Sequence, residues 1–466
     1  MCTMTSARSI SEVWCEAENV RKSYPNSFSD QIVADIYGNA EQITRHVLSK
    51  QGSRHYIFDQ ELDDLVTSKW FGYPLMLILL VIVFWITIEG ANVPSGFLAT
   101  GLFAFQDQLT LSFQWLGAPD WVHGVLVLGV YRTFAWVIAV MLPPMAIFFP
   151  LFTLLEDSGF LPRIAFNLDH IFKKANACGK QSLTMCMGFG CNAAGVTSCR
   201  IIDSPRERLI AILTNNFVPC NGRFPTLIAI TSIFIGGAIA SYSGLINALV
   251  ISVIILLGVA VTLLVSWLLS MTILKGDPSS LVLELPSYRR PKIGAVIYRS
   301  MIDRTLFVLR RAIIVAAPAG GVIWILGNIY IGEQSIISTV AHALNPLGQL
   351  IGLDGVILMA FILGLPANEI VLPILIMSYL STGTLQDFAS LEELRNILVN
   401  NGWTWLTAVN IMLFSLLHWP CATTLITTFK ETGRKRWAFL SFLIPTLIGF
   451  SVCFILTQFV RFLGLV

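Results

Sequence analysis

The sequence predicts an all-α, polytopic helical membrane protein with two inverted repeats, each containing a re-entrant or broken helix. Three observations predict it. Only 12% of the 466 residues are charged, about half the fraction of an average soluble chain, and the mean hydropathy is +0.72. Apolar runs of about 20 residues, the length that crosses a bilayer as a helix, recur along the chain. Two further apolar runs are interrupted by Gly, Pro and Asn at corresponding places in the two halves. A net charge of +2, with no basic cluster among aromatics, speaks against a nucleic-acid partner. Nine cysteines scattered along the chain, several of them in apolar runs, lack the form of a secreted disulfide framework.

Residues 1–70 hold 17 of the 58 charged residues, and no signal peptide is read at their start. Within them Ile32, Ile36, Ile43 and Val47 recur at helical spacing behind Ser29-Asp30, a plausible cap. This predicts a short cytosolic helical segment whose apolar face packs on its neighbours or docks a soluble partner. Continuous spans are expected at 73–93, 134–155, 209–235, 245–274, 312–331, 405–428 and 437–459. The interrupted stretches are 182–199 and 355–380. Backbone broken at membrane depth is tolerated only where protein or a water-filled cavity covers it, so both are read as re-entrant or discontinuous helices.

The basic residues test this topology. With both broken stretches entering and leaving on one side, segments 1–72, 156–208, 275–311 and 429–436 share a side and hold 26 of the 30 Lys and Arg. The other four are Arg132, Arg223, Arg395 and Arg461. The N-terminus is then cytoplasmic and the C-terminus outside. The expected organisation is a helical segment at 1–70, a first transmembrane helix with an external loop at 71–120, a first repeat at 121–274, a cytosolic basic linker at 275–311, and a second repeat at 312–466. Local sequence supports the repeats. "GFGCN" (188–192) matches "GLPAN" (364–368), and each half then carries Pro-Cys, at Pro219-Cys220 and Pro420-Cys421. Transporters of inverted design place their site near the midplane, where broken helices meet.

Cys191, Cys220, Cys421 and Glu369 carry the chemistry. Thiolates suit transition metals, and a carboxylate adds charge and a harder oxygen. A cysteine in a membrane is ordinarily a small apolar filler, but these three stand at the breaks and their equivalents. A carboxylate at depth is costly and faces a cavity or a partner. Asn192 and Asn368 either cap the broken helices or line an ion path. Glu156 and Asp157 either pair with Arg163 at the interface or mark a cytosolic exit. His418, three residues before Cys421 on nearly one helical face, is either a ligand or a packed histidine. No G-x-x-x-x-G-K-[ST] phosphate loop occurs, because Gly179-Lys180 is followed by Gln181, so no enzyme of the nucleotide-hydrolysing kind is expected from this chain.

The stretches "DLVTSKWFGYPLML", "LLEDSGFLPR", "GFGCN", "DSPRERLIAIL", "LPANEIVLPILIM" and "WPCATTLITTFKETG" occur in this order over about residues 60–460. On them the chain resembles the membrane domain of the FeoB-type ferrous iron transporters. The resemblance implies import of Fe(II), as the transported ion and not a bound cofactor, across a bacterial cytoplasmic membrane through two inverted gate repeats. It implies ion-path roles at Cys191, Cys220, Glu369 and Cys421. Members of the family usually begin with a GTP-binding domain, so a GTPase supplied as a separate chain is the expected partner. A small cytosolic accessory protein, membrane lipid and further copies of the chain complete the expected partners. Two departures bear on selectivity: "VPCNGRFP" around Cys220, and Ala-Ala after Asn192. The rival reading is a nucleoside or other organic-solute permease of similar gate architecture, which three cysteines at the breaks do not favour. A weaker one is a non-conducting anchor for a GTPase.

Overall fold

Helices make up nearly every element of the computed structural model, which describes residues 14–17, 19, 28–47, 54–68, 70–235, 243–276, 288, 291–385 and 391–464. Two helices precede the first long span, the amphipathic α1 (Phe28–Val47) and the polar α2 (Arg54–Thr67). There follow α3 (Gly72–Trp115) and α4 (Asp120–Asp157), then α5 (Phe160–Lys174), α6 (Lys180–Gly190) and α7 (Asn192–Ser198). The first half ends with α8 (Pro205–Thr214), α9 (Phe224–Phe234) and α10 (Ser243–Met271). In the second half come α11 (Ile293–Asn328), α12 (Ile336–Leu350), α13 (Gly355–Leu363) and α14 (Val371–Leu380). They are followed by α15 (Leu391–Asn400), α16 (Trp405–Leu417), α17 (Ala422–Thr432) and α18 (Lys435–Phe462). Among the described residues six helices are long and apolar enough to cross a membrane, counting α16 with α17 as one.

The two halves repeat in detail. Both α5 and α12 are 15 residues long. Asp169 Oδ1 in α5 accepts from the Gly179 N–H at 3.0 Å, and Asn345 Oδ1 in α12 accepts from the Gly355 N–H at 3.2 Å, each across ten residues. These bonds start α6 and α13, which run to matching breaks. At the breaks Cys191 (φ −158°, ψ 126°) and Ala367 (φ −153°, ψ 116°) are both extended. Both α5 and α12 lie where connecting segments were expected.

Several expected spans differ. Residues 209–235 and 405–428 are not continuous helices, so each half has a second break. The first falls between α8 and α9, with Cys220 extended (φ −86°, ψ 168°). The other falls between α16 and α17, with His418 (φ −71°, ψ 176°) and Cys421 (φ −63°, ψ 159°) extended. Pro219 and Pro420 are the cause, since proline lacks an N–H and pushes the residue before it out of the helical region. In α3, by contrast, the helix continues through Pro94 to Trp115, so the expected external loop is helical up to that point. A single lost hydrogen bond does not stop a 44-residue helix. The basic linker expected at 275–311 lies partly outside the described residues, and from Ile293 it is the first part of α11. Ser29-Asp30 falls inside the first turn of α1, and Ile36, Ile43 and Val47 remain exposed at 60, 65 and 75%.

The α4 and α11 backbones touch through glycine. A Cβ on Gly129 would lie 2.9 Å from Gly321 Cα, and one on Gly320 2.6 Å from Gly129 O. Overpacking a tight contact costs about 1–3 kcal/mol. Gly320→Val is therefore expected to lower the thermal unfolding midpoint of the purified chain, read by tryptophan fluorescence, whereas Gly101→Val is not, because Gly101 has open space around it.

Candidate functional site

Four chain breaks from two oppositely built halves converge. The N–H of Ala422, just past the break before α17, donates to Leu365 O in the break after α13 at 2.8 Å. Asn221 Nδ2 donates to Met141 O of α4 at 3.3 Å, and Trp136 Nε1 of α4 donates to Glu369 O at 3.2 Å. Extended residues leave backbone groups without helical partners, and these bonds satisfy several of them.

A buried polar knot holds the first half to the second. The Asn192 side-chain amide lies 3.2 Å from Gly188 O, 3.1 Å from Val218 O and 3.3 Å from Asn216 Oδ1, while Asn215 Nδ2 donates to Asn192 O at 3.0 Å. Asn216 Nδ2 reaches across to His418 O at 2.7 Å. Arg223, 1% exposed, donates from Nη1 to Asn216 O (2.9 Å) and Leu416 O (2.8 Å). Its Nη2 donates to Asn216 Oδ1 (3.0 Å), His418 O (3.2 Å) and Trp419 O (3.3 Å). Sequence reasoning missed this clamp. Its signal was an arginine stranded in an apolar stretch, on the side where basic residues are scarce.

Beside the knot lies a cavity of about 300 Å³, lined in part by Cys191, Asn192, Cys220, Asn368, Glu369 and Cys421. Glu369 and Asn368 are both 4% exposed, Cys220 7%, and Cys191 and Cys421 are half-buried. The Asn368 Oδ1 atom has no hydrogen-bond partner among the described residues. Gly222 presses on the carboxylate, so that a Cβ there would fall 2.5 Å from Glu369 Oε2. No three His, Cys, Asp or Glu side chains among the described residues are grouped closely enough to hold a metal ion. Cysteines and a carboxylate thus line a cavity and do not close a cage.

Asp303, Arg304 and Arg311 of α11 also line this cavity. Arg304 stands in a π-helical stretch, Ser300–Leu306, and donates to Glu156 Oε2 at 2.9 Å and Thr153 Oγ1 at 3.0 Å. Glu156 and Asp157 are exposed and are not among the cavity-lining residues. The expected pair of these acids with Arg163 is corrected. Arg163 is buried against Asp63 of α2, donating to Oδ1 at 2.5 Å and Oδ2 at 3.2 Å, and its guanidinium lies 3.7 Å over the Tyr288 ring. At the same end, Lys180 beside Asp203 (2.6 Å) holds that carboxyl below the usual carboxylate range. His418 is not brought to the cavity either. Its ring packs against Phe361, Phe414 and Trp419 at 4.8, 5.8 and 5.7 Å. Its Nδ1 faces the carbonyls of Phe414 (3.0 Å) and Ser415 (2.9 Å), so Nδ1 carries the proton. A shared helical face with Cys421 fails because α16 ends at Leu417.

Comparison with known proteins finds matching family models and relatives. A model described as "Gate: Nucleoside recognition" matches residues 138–234 and 309–435, and one for the "Ferrous iron transport protein B C terminus" matches residues 251–303. The chain is 28% identical to an "Fe(2+) transporter FeoB" of Staphylococcus aureus over 90% of its own length and 61% of the relative's. It is 27% identical to one of Methanocaldococcus jannaschii over 96% and 66%. With an "Fe(2+) transport protein A/Fe(2+) transporter FeoB fusion protein" of Porphyromonas gingivalis it shares 25% over 85% and 51%. The chain thus spans about three fifths of the length of the first of these relatives. No solved structure matches. On the two family models, the extent of the relatives and the six apolar helices, the chain is similar to the membrane part of the FeoB type.

Proposed function

We propose that the chain conducts Fe(II) across the bacterial cytoplasmic membrane. The observation that carries this reading is the cavity that three cysteines and one buried carboxylate, drawn from both halves, line together. Cys191, Cys220, Cys421 and Glu369 would replace part of the ion's water, with the oxygens of Asn192 and Asn368 beside them. Divalent-metal affinity at such a site rises from iron towards copper, so iron is selected by geometry and supply. Incomplete coordination keeps ligand exchange fast, as transit requires. In this reading the end bearing Glu156 and Asp157 faces the cytoplasm with the N-terminus, and the two gate repeats occupy 121–274 and 312–466.

A GTP-binding protein on a separate chain would control the flux. A small accessory protein is supported by the relative fused to "Fe(2+) transport protein A". The alternative, an organic-solute permease, draws on the matching model's description as nucleoside recognition. Uptake by liposomes holding this chain separates the readings. Fe(II) uptake is expected, raised by a GTPase partner, and Cys191→Ala with Glu369→Gln should cut it by roughly 10–100-fold. Intact uptake in that double variant, or binding of labelled nucleoside without metal, would overturn the proposal.

A further inference from the structure

The cavity beside the polar knot has a mouth, and a guanidinium stands in it. Of the described residues that line the cavity only Asp303 and Phe307 are exposed, and they flank Arg304 on α11. Glu369, Asn368 and Cys220 line its enclosed part. A route from solvent to the cysteines and the carboxylate therefore passes Arg304.

The side chain is fixed there from two directions. Its Nη1 donates to Thr153 Oγ1 of α4 at 3.0 Å and reaches Met187 Sδ of α6 at 3.7 Å, and its Nη2 donates to Glu156 Oε2 of α4 at 2.9 Å. Thr153 also accepts from Ser300 Oγ, four residues earlier on α11, at 3.0 Å. Met187 adjoins the break, its carbonyl accepting from the Cys191 N–H at 3.4 Å. Arg304 thus ties α11 to α4 and α6 across the opening. It does so from the π-helical stretch Ser300–Leu306, a rare geometry that recurs at functional sites.

The sign of the charge at the mouth follows from exposure. Asp303 is exposed, and the Glu156 side chain is 46% exposed against 25% for Arg304. Water and salt screen the two acids more than the partly buried guanidinium. Arg311 also lines the cavity, half-buried, with its guanidinium 4.3 Å over the Phe307 ring and no carboxylate within ion-pair distance among the described residues. The cavity therefore meets solvent through a positive rim, although its inner ligands suit a cation. An arginine in a narrow passage is a charge barrier to cations.

We propose that Arg304, held by Glu156 and Thr153, is the charge barrier at the mouth of the ion path and denies that path to alkali cations. The proposal rests on the reading of this cavity as the ion path. The barrier opposes every cation. One that the cysteines and Glu369 bind recovers the cost inside, whereas sodium and potassium, hard ions that sulfur does not hold, do not.

Thiol labelling of the full chain in lipid nanodiscs tests the barrier. Cys191 lies behind Arg304 in the cavity, and Cys15 is exposed and outside it. Two methanethiosulfonates of similar size, one bearing a sulfonate and one a trimethylammonium, are applied separately, and mass spectrometry reads the rate at each cysteine. Relative to Cys15, Cys191 should favour the sulfonate by about tenfold, the scale on which a charged cleft concentrates counter-ions. Arg304→Gln should abolish this preference, and Arg304→Lys, which keeps the charge, should retain it. In liposomes the glutamine variant should also leak sodium about tenfold faster than the unaltered chain. An unaltered chain without the preference, or with Cys191 unlabelled, overturns the proposal before any variant is made. So does a preference that survives Arg304→Gln, one lost equally in Arg304→Lys, or a sodium leak no faster in the glutamine variant. Neither readout uses iron, so failure of this barrier and failure of the Fe(II) reading are told apart.

Discussion

Arg223→Met is expected to cost the protein about 3–5 kcal/mol, the penalty for removing one side of a buried charged network. The guanidinium makes five hydrogen bonds, three of them to carbonyls of Leu416, His418 and Trp419 in the opposite half. Methionine matches the volume and offers no donor. Asn216 would still serve His418 O, but the carbonyls of Leu416 and Trp419 would lose a buried donor at the break before α17. Each such orphan costs about 1–3 kcal/mol. Arg223→Lys should recover only part of the loss, because a single ammonium cannot span the fork of acceptors. The check is the thermal unfolding midpoint of the three proteins in one detergent, followed by tryptophan fluorescence. A methionine variant as stable as the unaltered chain would mean that water reaches these carbonyls and that the two halves are held elsewhere.

That clamp shows where sequence reading ends. The spans were legible because hydrocarbon selects about 20 apolar residues wherever a helix crosses. The breaks at Cys191 and Ala367 were legible because Gly, Pro and Asn in an apolar run oppose a helix locally. The second pair of breaks left only Pro219 and Pro420 as a trace, inside runs apolar enough to read as continuous spans. Both α5 and α12 hide for another reason: their apolar residues fill one face only, and each follows a long span closely enough to look like its loop. The site followed the same division. Residues tied to the repeat, such as Cys191 and Glu369, could be located from the order of the motifs alone. Arg223 acts through tertiary hydrogen bonds that no local pattern records. Packing was one of the two readings of His418, and only its shared face with Cys421 was misread, because spacing of three implies such a face only while the backbone stays helical.

Gly222→Ala is expected to cut Fe(II) uptake by about 100-fold while leaving the fold in place, the scale of loss that a misplacement of about 1 Å produces at a reacting centre. The new methyl would stand 2.5 Å from Glu369 Oε2, inside any real contact distance, so the carboxylate must move. It swings into the cavity it lines, away from its present position, while its own carbonyl stays held by Trp136 Nε1. Glu369→Asp draws the carboxylate back by one methylene and should lower uptake on its own by leaving a ligand short. In the double variant the added methyl and the removed methylene compensate. Its uptake should therefore exceed that of Gly222→Ala, where independent defects would multiply. Four proteins in liposomes under one Fe(II) gradient make the comparison. Losses that simply multiply would mean that the two positions act independently, and that Gly222 does not set where the Glu369 carboxylate stands.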